Sequence, residues 1–386
     1  MRLSDIQDYF KNQFGNPEVS LKSPGRINII GEHTDYGNGY VLPAAIDRYT
    51  YFFVAKSKQS QHEVHAYNLN ESLHLDVGNE ILTHGWRKYV EAVFIILKKA
   101  GYLIGPTNLV FGGDLPLGAG MSSSTALSCG CIYALSELHN LQLSKEEIVI
   151  FSQQAEHLVG AKGGLMDQYA ILFSEKGNAM MLDCLTLTYE MIPVQLEGVR
   201  FALVNSNIPH DLSSSDVYNK RRRIGEQTLT QLQEEDASLK RLSDMTFEHL
   251  AVLKLWLMPA DYAKIEYVYQ ENQRVHEVSN YLLQGDAAAI GTCLSQTHRG
   301  LSKQYQVSLS EVDTLVDIVT NKKGIYGARM MGGGFGGSVL ILGEQKTMDS
   351  NLQETLQEYH ARTQIQGEII EFELAGGIEL ISCYDQ

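Results

Sequence analysis

Three glycine-punctuated segments constrain this chain more than anything else in it, because each joins a short apolar run to a turn dense in polar groups. The first is Pro24-Gly25-Arg26-Ile27-Asn28-Ile29-Ile30-Gly31-Glu32-His33-Thr34-Asp35-Tyr36, closing at Gly39-Tyr40-Val41-Leu42-Pro43. Ile27 and Ile29 mark one face of a strand, and Gly31 permits a sharp exit. Arg26, Glu32, His33 and Asp35 then fall within ten residues, close enough to converge on one small polar ligand. A charged turn facing water is the plainer alternative. The second segment, Asp114-Leu115-Pro116-Leu117-Gly118-Ala119-Gly120-Met121-Ser122-Ser123-Ser124-Thr125-Ala126-Leu127, runs into a helix start. Small residues there leave backbone N–H groups uncovered, and a helix N-terminus adds about half a positive charge, so the loop can cradle a polyphosphate although it lacks the Lys of a Walker loop. The third, Gly324-Ile325-Tyr326-Gly327-Ala328-Arg329-Met330-Met331-Gly332-Gly333-Gly334-Phe335-Gly336-Gly337, has five glycines in six positions and precedes the apolar run Ser338 to Leu342. That density suits close approach of backbone to a ligand or another loop.

A chain of 386 residues is too long for one ordinary core. Two domains are expected, 1–190 and 191–386, with the break where Leu182 to Gly198 loses helical periodicity. With 46 acidic against 31 basic residues the net charge is −15, which argues against a nucleic-acid surface. Neither a signal-peptide run nor a stretch near the ~20 apolar residues of a membrane helix is present. The five cysteines, Cys129, Cys131, Cys184, Cys293 and Cys383, are an odd, scattered set that reads as reduced thiols, with Cys129 and Cys131 as helix packing. The expectation is a soluble, cytoplasmic monomer without membrane or nucleic-acid partners.

Strand-like runs such as Tyr51-Phe52-Phe53-Val54-Ala55 dominate up to about residue 80. Trp86 to Ala100 reads as a helix, with Val90, Val93, Phe94 and Leu97 on one face, Lys98 and Lys99 in the last turn and Gly101 as its cap. Further helices are expected after Gly118, over Ser144 to Val159, and through most of 217–320, where Val312, Leu315, Val316 and Val319 share a face. Ile370, Phe372 and Leu374 alternate with Glu371 and Glu373 as a strand would. Strands and helices alternate in both halves, so the fold class is α/β (α+β), with an active site in the cleft between the domains.

Two shorter segments complete the candidate site. Gly163-Gly164-Leu165-Met166-Asp167-Gln168-Tyr169 places an Asp where a helix starts, and an N-cap competes with a catalytic role. Gln153-Gln154-Ala155-Glu156-His157 reads on its own as a solvated helix face.

Taken together these segments resemble the galactokinase family of the GHMP small-molecule kinase superfamily, from residue 20 to about 345. The resemblance implies an N-terminal domain like ribosomal protein S5 domain 2 and a ferredoxin-like C-terminal domain. It implies ATP-dependent phosphorylation of the anomeric hydroxyl of α-D-galactose, with Mg²⁺. Asp167 and Arg26 would be the catalytic pair, the fixed cation helping to offset charge on the transferring phosphoryl. Glu32, His33, Asp35, Gly164 and Tyr218 would hold sugar hydroxyls. ATP would lie against Trp86, Tyr89, Pro116, Gly118, Ala119, Gly120, Met121, Ser122, Ser123 and Ser124. Ser124 and Glu156 would bind the metal, and Gly332, Gly333, Gly334 and Gly336 would support the site. Ser338 stands where the family often carries Cys. A kinase for a related sugar such as N-acetylgalactosamine, L-arabinose or galacturonate, or a non-catalytic galactose sensor, stays open as an alternative. The intact serine loop and the Arg26 and Asp167 pair favour an enzyme.

Overall fold

The computed structural model describes residues 2–75, 82–161, 163–208 and 214–381, with the side chains of 214–219 also outside the description. The first half begins with helix α1 (Leu3–Phe14) and strands β1 (Val19–Asn28), β2 (Tyr40–Val41), β3 (Pro43–Lys56), β4 (His62–Ala66) and β5 (Glu71–Leu75). Helix α2 (Arg87–Lys99), β6 (Thr107–Gly113), α3 (Ser123–His139), α4 (Lys145–Leu158), α5 (Met166–Phe173), β7 (Asn178–Asp183) and β8 (Tyr189–Pro193) follow. The second half runs β9 (Val199–Asn205), α6 (Ser214–Glu235), α7 (Phe247–Trp256), α8 (Pro259–Gln284), α9 (Ala287–Arg299) and α10 (Ser310–Thr320). It ends with β10 (Ile325–Met330), β11 (Ser338–Glu344), α11 (Gln345–Thr363), β12 (Glu368–Ile370) and β13 (Glu379–Leu380).

A six-stranded sheet in the order β13-β1-β3-β6-β4-β5 carries the first half. Helix α3 lies across β1 and β3, which Gly130 permits: a Cβ there would sit 2.3 Å from the Phe52 ring. The opposite face is closed by α1 through Ile6 and Phe10 against Phe53 and Val110. The second half is built on an antiparallel sheet, β10-β11-β9-β12, so its strands lie in the spatial order second, third, first, fourth, the ferredoxin-like arrangement. Apolar residues of α8, α9 and β11, among them Val275, Leu294 and Leu340, join Ile29, Leu42 and Ile171 in one continuous core. The two halves are therefore held by shared hydrophobic burial as well as by chain connection.

The expected helices are present, with Ser144 capping α4 through the Glu147 amide and Gly101 adopting the left-handed conformation just past α2. Val312, Leu315, Val316 and Val319 are all buried on α10. One expectation fails. The alternation from Ile370 to Leu374 is not a single strand: β12 ends at Ile370, and Leu374 bridges to Ile46 in the other sheet. The chain crosses between sheets there, so alternate residues meet different partners. It goes on to pair Leu380 with Leu21, and the edge of the first half is thus completed from residues beyond 370. Cys129, Cys131, Cys184 and Cys293 are buried free thiols, and Cys383 lies outside the described residues.

Candidate active site

Strand β1 delivers Arg26 from a register shift between Pro24 and Gly25, a bulge that suits a residue with no N–H to give the ladder. The Arg26 guanidinium is almost wholly buried and grips both oxygens of Asp167, Nε to Oδ1 at 2.7 Å and an NH2 nitrogen to Oδ2 at 2.9 Å. Its NH1 donates to the Gly120 carbonyl at 2.6 Å. Burial opposes the Arg26 charge, but the Asp167 carboxylate beside it more than compensates, and its pKa is raised. Ser122 donates to Asp167 Oδ2 as well. Asp167 stands second in α5, behind Leu165 at the N-cap, so its carboxylate is spent on Arg26 and Ser122 rather than on capping the helix.

Glu156 is buried on α4, not on a solvated face as its sequence context suggests. Its Oε1 accepts from Thr125 Oγ1 at 2.6 Å and its Oε2 from Gln168 Nε2 at 2.8 Å. Burial raises its pKa to about 7, with Asp167 adding to the rise against the two hydrogen bonds and Arg26. Asp35 is driven to about 7 in the same way, by burial first and then by Asp167. It presses on Gly164, where a Cβ would lie 2.3 Å from Asp35 Oδ2, so the absence of a side chain at 164 is a steric requirement. Among the described residues no group of three or more His, Cys, Asp or Glu forms a metal cage. The donors that are present, a carboxylate at Glu156 and the Ser124 hydroxyl, are the hard oxygens Mg²⁺ takes when nucleotide phosphates complete its shell.

Glu32 and His33 close the other side. Glu32 Oε1 accepts from Arg329 NH1 and from the Gly332 amide, both at 2.9 Å, which leaves Oε2 for a ligand. Burial, with Arg221 and Arg329 nearby, depresses the His33 pKa to about 3, so His33 is a neutral imidazole at physiological pH. A cavity of about 120 Å³ is lined by Arg26, Glu32, His33, Asp35, Asp167 and Gly164, together with Glu156, Gln168 and the third-loop glycines Gly332 and Gly333.

The glycine loops meet at this cavity. Gly118, Gly120 and Ser122 all have positive φ, and the turn they make packs against the third loop: Ser338 Oγ donates to the Ala119 carbonyl at 2.7 Å. A Cβ at Gly120 would come within 3.3 Å of the Met331 carbonyl. Ser123 and Ser124 open α3, and the Tyr89 phenol of α2 lies beside Ser124, which brings α2 to the serine loop. Trp86 caps α2, its indole N–H donating to Glu71 at 2.8 Å, with Pro116 and Met121 in the loop between β6 and α3. Gly334 and Gly336 stand back from the cavity against Val307 and Ile208. The side chain of Tyr218 lies outside the described residues. Sequence reasoning missed Thr125, Gln168, Tyr36 and the buried Arg329. All sit within or beside quoted segments, and proximity to motif residues was the one signal that could have found them.

Residues 8–56 match the galactokinase galactose-binding signature, 88–175 the GHMP kinase N-terminal domain and 280–362 the GHMP kinase C-terminal domain. A galactokinase of Thermotoga maritima is 37% identical over 364 residues, covering 94% of this chain and all of that protein. The chain belongs to the galactokinase family. A Thermosipho africanus galactokinase, 36% identical over 94% of this chain and the whole of that protein, agrees. The crystal structure of Lactococcus lactis galactokinase complexed with galactose superposes with a TM-score of 0.91 at 29% identity, covering 98% of this chain and 99% of that one. A mevalonate kinase structure at 17% identity and TM-score 0.66 shares the fold, covering 93% of this chain and all of that one. This galactokinase-family chain has no helix, among its described residues, long and apolar enough to cross a membrane.

Proposed function

We propose that the chain transfers the γ-phosphoryl group of ATP to the anomeric hydroxyl of α-D-galactose, giving galactose 1-phosphate. The observation that carries this reading is the pair of buried Arg26 and half-buried Asp167, fixed at the wall of a small polar cavity directly beneath the serine loop. Asp167 accepts and orients the O1 hydrogen, while Arg26 stands ready to offset charge on the phosphoryl oxygens as the bond to O1 forms. Neutral His33, the free oxygen of Glu32, and Asp35 suit a neutral polyol, whose hydroxyls both give and accept hydrogen bonds. Tyr218 on α6 would add a phenol to the same sugar. The serine loop and the start of α3 would hold the phosphates, with Trp86 and Tyr89 toward the adenine. Glu156 and Ser124 would hold Mg²⁺, which when bound neutralises phosphate charge.

The test is an ADP-release assay across a panel of hexoses, with Asp167→Asn as control. Galactose is expected to exceed glucose in kcat/KM by roughly 10³-fold or more, because a site built for one hydroxyl rejects its epimer by leaving a buried carboxylate unpaired. Asp167→Asn, nearly isosteric, should lose at least ~10²-fold in turnover while still binding galactose. Comparable rates on glucose, or a preference for N-acetylgalactosamine, overturns the substrate assignment.

A further inference from the structure

The segment that presents Glu32, His33 and Asp35 to the cavity is not self-supporting. Gly31 has φ +99° and His33 φ +64°, and this left-handed backbone turns the successive amides of Gly31 and Glu32 to one side, a concavity that attracts an anion. The anion it receives comes from the other half of the chain. Glu271 of α8 is fully buried, and its Oε1 accepts from Gly31 N at 2.9 Å and from Glu32 N at 3.1 Å. Its Oε2 accepts from Arg274 Nε at 2.9 Å and from Thr297 Oγ1 of α9 at 2.7 Å, with Arg274 NH2 an ion-pair neighbour at 2.8 Å. Four hydrogen-bond donors and the Arg274 charge therefore hold one buried carboxylate, which fixes its position tightly. Two neighbours on α8 grip the same segment: Tyr267 donates to the Glu32 carbonyl at 3.0 Å, and Asn272 Oδ1 accepts from Tyr40 N at 2.8 Å. Glu271 itself is absent from the cavity lining, so it reaches a bound ligand only through the backbone it holds.

From these contacts we infer that Glu271 is a positioning residue for sugar recognition, fixing the Gly31–Asp35 backbone so that Glu32 and His33 meet the hydroxyls of a bound hexose. The inference rests on the galactose reading above, which the wild-type assay tests separately. Glu271 is exchanged for Gln, which keeps an acceptor oxygen for the two amides, and for Ala, which keeps none. Thr297→Val serves as a milder third variant that removes only the hydroxyl donor.

For each folded variant, the galactose KM and the ATP KM are measured, with galactose affinity taken by calorimetry in the absence of ATP. The expected pattern is graded: a galactose KM raised about tenfold or more in Glu271→Ala, by less in Glu271→Gln, and by a few-fold in Thr297→Val, with the ATP KM within twofold of wild type throughout. Should Glu271→Ala not fold, the Gln and Val variants carry the decision. Galactose affinity unchanged in those variants overturns the inference, as does a parallel loss of galactose and ATP affinity, because a merely structural role would weaken both sites alike.

Discussion

At the scale of single residues, the site concentrates negative charge that the free protein can hold only by keeping protons. Asp35 and Glu156 have ordinary values of 3.8 and 4.5 and are raised to about 7 by burial and by Asp167. Through these two groups the folded form binds more protons than the unfolded chain between about pH 4 and pH 7, so their contribution to the unfolding free energy falls as pH rises across that window and is level above it. Replacing Asp35 by Asn removes its share of the titration. In ligand-free thermal unfolding, Asp35→Asn should stand further above wild type at pH 8 than at pH 5. A gap of the same size at both pH values would show that Asp35 titrates like a surface carboxylate. His33 works in the opposite sense: with its folded value depressed to about 3, its contribution is complete above 6.5 and is lost as the medium is acidified.

At the scale of elements, the three glycine-rich loops act as one body. Gly334 has φ +89°, and a Cβ there would stand 2.4 Å from the Val307 carbonyl, the same oxygen that accepts from the Phe335 amide at 2.8 Å. Gly334→Ala is expected to cost ~1–3 kcal/mol, from the strained conformation and the backbone contact. It should also raise the ATP KM, since this loop packs on the serine loop through Ser338 and Ala119. Urea unfolding and steady-state kinetics read both, and wild-type values in both would remove the loop from the site's support.

The loops were legible in the sequence because glycine clusters beside apolar runs have few structural uses, and Arg26 and Asp167 were legible within them. Glu271 was not. A charged residue in the run Tyr267 to Arg274 looks like a helix face in water, and only a fold that brings residue 271 to residue 31 shows otherwise. The same holds for Glu156, whose burial depends on Thr125 and Gln168 arriving from two other helices. Sequence alternation failed at Ile370 to Leu374 because it assumes one partner sheet, and here there are two.

At the scale of the whole molecule, the halves are interlocked rather than strung in series. Residues 373–381 return to the first half through Asp47 N to the Glu373 carbonyl, Ala375 N to the Ala45 carbonyl, Ile378 N to the Ile171 carbonyl and Ile381 N to the Ser20 carbonyl. Truncation after Ile370 should therefore destabilise the sheet that carries Arg26, although the missing residues line no part of the cavity. Thermal unfolding and light scattering would show a lower midpoint and association through the bared β1 edge. An unchanged midpoint would mean that the returning segment is an ornament.

That return has a consequence during synthesis. β1 is made within the first 28 residues, but its edge partner arrives only with Glu379 and Leu380. At ~5–20 residues per second, roughly 20–70 seconds of translation separate the two, and for all of that time the Leu21–Lys22 stretch of the strand bearing Arg26 lacks its edge partner. The ribosome-bound chain must keep that edge from other nascent strands, so aggregation during rapid expression should begin at β1, before any defect in the finished enzyme could matter.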